Sequence, residues 1–146
     1  MNEVVELSRD ELLALSVRFR EAVEKVLRDL PRVPSNLDRF PNGCCGQLSW
    51  MLGQILNDRF DGRVLYVSAN HCEGNGSHGW LRCGNIVIDV TGDQFTGRPA
   101  VYAGVPDSWF DQWEIDEPMV GPALYEMGYD LDADRVYERV CTLLGN

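Results

Sequence analysis

The chain has 146 residues, 45% of them hydrophobic and 25% charged, which is the composition of a folding globular chain and excludes a disordered, collagen-like or repeat sequence. Its 13 basic residues against 23 acidic ones leave a net charge of −10, which argues against nucleic acid and anionic membrane as partners, since both select a basic face. Apolar runs are too short to span a bilayer, and the charged stretch from Met1 to Glu11 has no apolar signal core, so a cytoplasmic protein without a membrane partner is expected.

Ser8 followed by Glu11 reads as a capping box, and Leu12, Leu15, Phe19, Val23, Val26 and Leu30 then recur at helical spacing until Pro31. This predicts an amphipathic helix over residues 9–30 that packs on the rest of the chain. Pro31, Pro34, Pro41 and Gly43 mark a loop. A second helix is expected to start at Cys44 or Cys45, carry its apolar stripe on Leu48, Met51, Leu52, Ile55 and Leu56, and stop at Asp61-Gly62. Arg63 to Ala69 is β-branched and aromatic-rich and predicts a strand, followed by a polar loop from Asn70 to Ser77. His78–Cys83 and Ile86–Thr91 flank Gly84-Asn85, a two-residue hairpin turn with glycine first. A short strand is expected near Ala100 to Tyr102, irregular chain over 104–129, and a last helix on Leu131, Val136, Val140 and Leu143. The layout is α+β in one domain spanning 1–146, with helices followed by an antiparallel sheet.

The hairpin carries a geometric consequence. With Gly84-Asn85 as the turn, Cys83 pairs with Ile86, Trp80 faces Asp89, and His78 faces Thr91. His78, Trp80 and Arg82 then share a sheet face with Val87, Asp89 and Thr91. His78 and Asp89 become diagonal neighbours roughly 7–8 Å apart at Cα, within side-chain reach. Asp89 also interrupts the apolar strand from Ile86 to Val90, and a carboxylate there requires a partner. It would orient one imidazole nitrogen and leave the other free to work.

The five cysteines are odd in number, so reduced thiols are expected, and two of them, Cys44 and Cys45, lie between glycines at the start of the second helix. A thiol there meets the positive end of the helix dipole and unpaired backbone N–H groups, both of which favour thiolate, and a nearby imidazole would favour it further. Cysteine, histidine and aspartate in this order supply a nucleophile, a base and an orienter. The chain has only two histidines, His71 and His78. The spacing of His71, Cys72, His78 and Cys83 matches no common zinc knuckle, so neither metal nor cofactor is expected. His71 and Cys72 are read as loop residues at the rim of the site.

Phe40-Pro41-x-Gly43-x-Cys45-Gly46-Gln47-x-Ser49, Ser77-His78-Gly79-Trp80-Leu81 and Ile88-Asp89-Val90-Thr91-x-Asp93-Gln94-Phe95 together resemble small bacterial proteins of the papain-like, transglutaminase-like cysteine hydrolase superfamily. The resemblance covers roughly residues 38–96 by motif. It implies a nucleophile helix packed on an antiparallel sheet, with Cys45 as nucleophile, His78 as base and Asp89 as orienter. Asp93-Gln94-Phe95 completes the pattern without an assigned role. The resulting expectation is a hydrolase, peptidase or amidase, that attacks the amide or acyl bond of a peptide, protein or other amide-containing substrate. A transglutaminase, deamidase or other acyltransferase, and a binding module without turnover, are the alternatives. The Cys45 backbone N–H is the expected oxyanion donor, with Asn42 and Gln47 as candidates for the second. Trp80 is expected to shield the site, and Trp109, Phe110 and Trp113 to pack over the sheet or line a groove.

Overall fold

The structure, a computed structural model, describes residues 8–33, 37–40, 42, 45–60, 64–74, 76–116 and 131–145, with the backbone alone at 59–60 and 131–134. Helix α1 runs Arg9–Asp29, and the Ser8 hydroxyl accepts the Glu11 backbone N–H at 3.2 Å, so the capping residue stands where the sequence places it. Helix α2 runs Cys45–Phe60 and helix α3 Leu131–Leu143. Five strands, β1 Val64–His71, β2 Ser77–Cys83, β3 Ile86–Asp89, β4 Tyr102–Gly104 and β5 Trp113–Ile115, form one antiparallel sheet in the order β4-β3-β2-β1-β5. The class is therefore α+β. Among the described residues no helix is long and apolar enough to cross a membrane.

The sheet has two differently furnished faces because strand side chains alternate. Leu81, Ile88 and Val90 point towards the helices, where Leu48, Met51, Leu52, Ile55 and Leu56 of α2 join Phe19 and Val23 of α1 and Val136 and Val140 of α3. The five-residue α2 stripe is wholly buried. Val67, Ala69, Trp80 and Val87 point the other way, and Phe110 and Trp113 cover them. Phe95, Trp109 and Phe110, from the segments on either side of β4, thus form a third, aromatic layer.

The β2–β3 register is Leu81 to Ile88, Arg82 to Val87 and Cys83 to Ile86, the pairing expected from the turn. Gly84 takes a positive φ of 61°, which a side chain would resist.

Five expectations are corrected. Asn70 and His71 continue β1 instead of opening the loop, because both pair with β5. The region read as irregular contains β5 and a 3-10 turn over Ser108–Gln112. The short strand lies two residues later than expected, at Tyr102–Gly104, and the strand predicted to reach Thr91 ends at Asp89, where the chain turns into a 3-10 segment, Gly92–Gln94. Leu143 is 46% exposed while Leu144, whose backbone N–H bonds one helical turn back to the Val140 carbonyl, is buried. Cys44 and the stop at Asp61-Gly62 lie outside the described residues.

Candidate active site

His78 and Asp89 come from adjacent strands on the aromatic face. Their side chains are 0% and 2% exposed, and His78 Nε2 meets Asp89 Oδ2 at 2.7 Å. The other carboxylate oxygen accepts the Thr91 backbone N–H at 3.0 Å. The carboxylate that interrupts an apolar strand is thus fully partnered, as its burial demands.

Cys45 reaches the same place from the helical layer. It is the first residue of α2, half-buried, and its thiol hydrogen-bonds with the His78 imidazole and receives the backbone N–H groups of Gly79 and Gly46. Burial works against the thiolate, but the hydrogen bond and charge of His78, with the two backbone donors, outweigh it and bring the thiol below its ordinary pKa. Burial likewise opposes the charged imidazole. The hydrogen bonds to Asp89 and Cys45 and the charges of both overcome it and push the His78 pKa up to about 9. The two shifts share one contribution: thiolate and imidazolium stabilise each other, while Asp89 adds to the His78 shift and the Gly79 and Gly46 N–H groups to that of Cys45.

Packing holds the ring as tightly as the hydrogen bonds do. The centroids of Phe95, Trp80, Trp113 and Trp109 lie 4.9, 5.6, 5.7 and 5.9 Å from that of His78. Trp80 is 2% exposed and shields the imidazole, as its register position suggests. Over the sheet Trp109 meets Phe110 edge-to-face and packs at a tilt against Trp113. Gly79 is required here for a steric reason, since a Cβ at that position would collide with the hydroxyl and ring of Tyr66 on the neighbouring strand.

The Asp93-Gln94-Phe95 segment acquires contacts that periodicity and spacing did not reveal. Asp93 takes a two-point salt bridge from Arg20 of α1, at 2.8 and 2.7 Å, and the same guanidinium donates to the Val90 carbonyl at 2.8 Å. Arg20 is buried yet paired, and Asp93 is held below the usual carboxylate range by that hydrogen bond. Gln94 places its amide against His78 Nδ1 at 3.1 Å, and Phe95 lays its ring edge-on to the imidazole. The visible signal was an acid and an amide standing together directly after the β3 strand.

His71 does not enter this cluster. Its Nε2 contacts Gln112 Oε1 at 2.9 Å, and its ring lies edge-on to Trp113, one ring removed from His78. Cys72 is exposed. Gln47, in the first turn of α2, has a buried Oε1 without a hydrogen-bond partner among the described residues. No three His, Cys, Asp or Glu among the described residues are grouped to hold a metal ion. Comparison with protein-family models, with curated proteins and with solved structures found no match to this chain.

Proposed function

We propose that the chain is a cysteine hydrolase, a peptidase or amidase with a papain-like, transglutaminase-like arrangement of helix and sheet. The observation that carries this reading is the continuous chain of hydrogen bonds from the Cys45 thiol through the imidazole of His78 to Asp89. A buried histidine serving only the fold needs one partner on each nitrogen. It does not need a thiol at a helix N-terminus with two further backbone N–H donors.

In this mechanism the Cys45 thiolate attacks the carbonyl carbon of an amide or related acyl group. Charge develops on the carbonyl oxygen, and the backbone N–H of Cys45, in the first turn of α2, is the donor available to it. His78 gives its Nδ1 proton to the leaving amine, the carbon–nitrogen bond breaks, and the acyl group remains on sulfur. Asp89 keeps a proton on Nε2 and so directs Nδ1 to the reaction. Water then attacks the thioester, returns its proton to Nδ1, and releases the acid and the thiolate.

Reaction with a p-nitrophenyl ester tests this without knowledge of the natural substrate. The expected result is a burst of one nitrophenolate per chain, with the acyl mass mapped to Cys45 and the burst lost in His78→Ala. Acylation spread over several cysteines, or unchanged in His78→Ala, would contradict the proposal.

A further inference from the structure

The imidazole of His78 has two nitrogens, and Asp89 occupies one of them. The other, Nδ1, faces the Gln94 amide, whose Nε2 lies 3.1 Å away, and the ring also hydrogen-bonds with the Cys45 thiol, which leaves Nδ1 as the nitrogen they share. The same amide nitrogen donates to Thr91 Oγ1 at 3.1 Å. Thr91 is 1% exposed, and its backbone N–H holds the second oxygen of Asp89. Residues 89 to 94 therefore close a bracket around the ring, running from Nε2 through Asp89, Thr91 and Gln94 back to Nδ1.

We propose that Gln94 is a positioning residue for His78: its carboxamide, anchored on Thr91, follows the proton on Nδ1 and holds the ring against Cys45 in both charge states. The inference rests on the pairing of Cys45 with His78 proposed above. With the amide nitrogen towards the ring, an N–H donates to an Nδ1 lone pair, which suits the neutral imidazole. When Nδ1 carries the proton that Cys45 has given up, two N–H groups would face each other. A half-turn about the terminal torsion of Gln94 brings Oε1 to Nδ1–H instead. That oxygen has two lone pairs, and the Thr91 hydroxyl can rotate to donate where it had accepted. The hydrogen bonds of Gln94 to Nδ1 and to Thr91 are then kept in both states, with the Nδ1 proton shared between Oε1 and the Cys45 sulfur. A carboxylate in this place could only accept, an ammonium could only donate, and an alkyl chain could do neither. Among the described residues the titratable groups bonded to the ring are Asp89 from β3 and Cys45 from α2, the Tyr66 hydroxyl of β1 lies beside Gly79, and the rings packed on the imidazole are those of Trp80, Phe95, Trp109 and Trp113.

With only two histidines in the chain, long-range proton–nitrogen NMR on ¹⁵N-labelled protein reads the protonation of each ring nitrogen directly, and His78→Ala assigns the signals. Gln94→Glu is expected to raise the His78 titration midpoint by about one pH unit, since an added carboxylate favours only the protonated ring. Gln94→Met keeps the length, loses both hydrogen-bonding groups, and is expected to slow Cys45 alkylation by iodoacetamide at pH 6 about tenfold through a misplaced ring. Thr91→Val is expected to fall between the parent and Gln94→Met. Gln94 is half-buried, and Gln94→Met supplies the readout should Gln94→Glu fold poorly. Alkylation that responds to His78→Ala while neither Gln94 variant moves the titration or the rate would overturn the role of Gln94 alone. Alkylation indifferent to His78→Ala would overturn the thiol–imidazole pairing, and this role with it.

Discussion

The two faces of the sheet solve burial in opposite ways. On the helical face Leu48, Leu52, Leu56, Leu81, Ile88 and Val136, with Phe19 among them, exclude water mainly with aliphatic groups. On the other, His78 and Asp89 lie under tryptophan and phenylalanine rings, with both imidazole nitrogens and both carboxylate oxygens partnered. Aliphatic burial is non-directional, so the helical face draws stability from area and tolerates rearrangement. The aromatic face depends on direction, because an unmet polar group there costs more than its hydrogen bond contributes. Cys45 stands where the two meet, carried by the helical layer and hydrogen-bonded to the end of β2. The difference teaches a division of labour: one face holds the fold, and the other spends that stability on fixing an imidazole.

Substitutions on each face should therefore separate chemistry from stability. The largest expected effect is Cys45→Ala, which abolishes ester or amide turnover and leaves the unfolding midpoint close to that of the parent. Cys44→Ala is expected to retain turnover, and the reverse pattern would move the nucleophile to Cys44. Asp89→Asn comes next, lowering kcat by about two to four orders of magnitude through a misoriented ring. It should also shift the pH profile. The parent is competent while Cys45 is thiolate and His78 is protonated. Activity is lost as pH falls through the lowered thiol pKa and as pH rises through about 9. Without the carboxylate that favours the charged ring, the alkaline limb of Asp89→Asn should move to lower pH.

Leu52→Ala sharpens the contrast from the other side. Leu52 is 0% exposed, and its truncation should cost about 2–5 kcal/mol in denaturant unfolding while the pH dependence of Cys45 alkylation stays put. Arg20→Leu is the smallest and the mixed case, since Arg20 ties α1 to the turn that carries Gln94. Its loss leaves the Val90 carbonyl unpaired and Asp93 without its partner. Because the Asp93 side chain is 33% exposed, water recovers part of the loss, and about 2 kcal/mol is expected. The sign with pH is fixed: the folded Asp93 pKa is depressed, so its contribution is present above the ordinary carboxylate value of 3.8 and is lost as pH falls through the folded one. Parent and Arg20→Leu should therefore converge in stability as the solution is acidified, which unfolding curves at a series of acidic pH values would check.

Local periodicity makes much of this molecule legible. The stripes of α1 and α2 and the turn at Gly84-Asn85 are short-range patterns, and the turn alone puts His78 and Asp89 on one face. What stayed hidden depends on distant partners. Trp113–Ile115 is too short to show a period, and it becomes a strand only because β1 offers an edge to pair with. Leu143 and Leu144 both fit a helical stripe, and only packing at the end of α3 decides that Leu144 is the buried one. Arg20 reads as one more charge on an amphipathic helix until the fold brings Asp93 to it across 73 residues. Gln94 stands in a recognisable motif, but its contact with His78 requires the chain to turn sharply after β3.

The central claim is that Cys45 and His78 form one coupled pair. Alkylation of Cys45 across a pH series, mapped by mass spectrometry in the parent and in His78→Ala, tests it most directly. The account predicts that Cys45 reacts as thiolate well below the ordinary thiol pKa, and that its midpoint rises when His78 is removed. An ordinary midpoint, identical in both proteins, would contradict it and leave Cys45 a structural residue at the start of a helix.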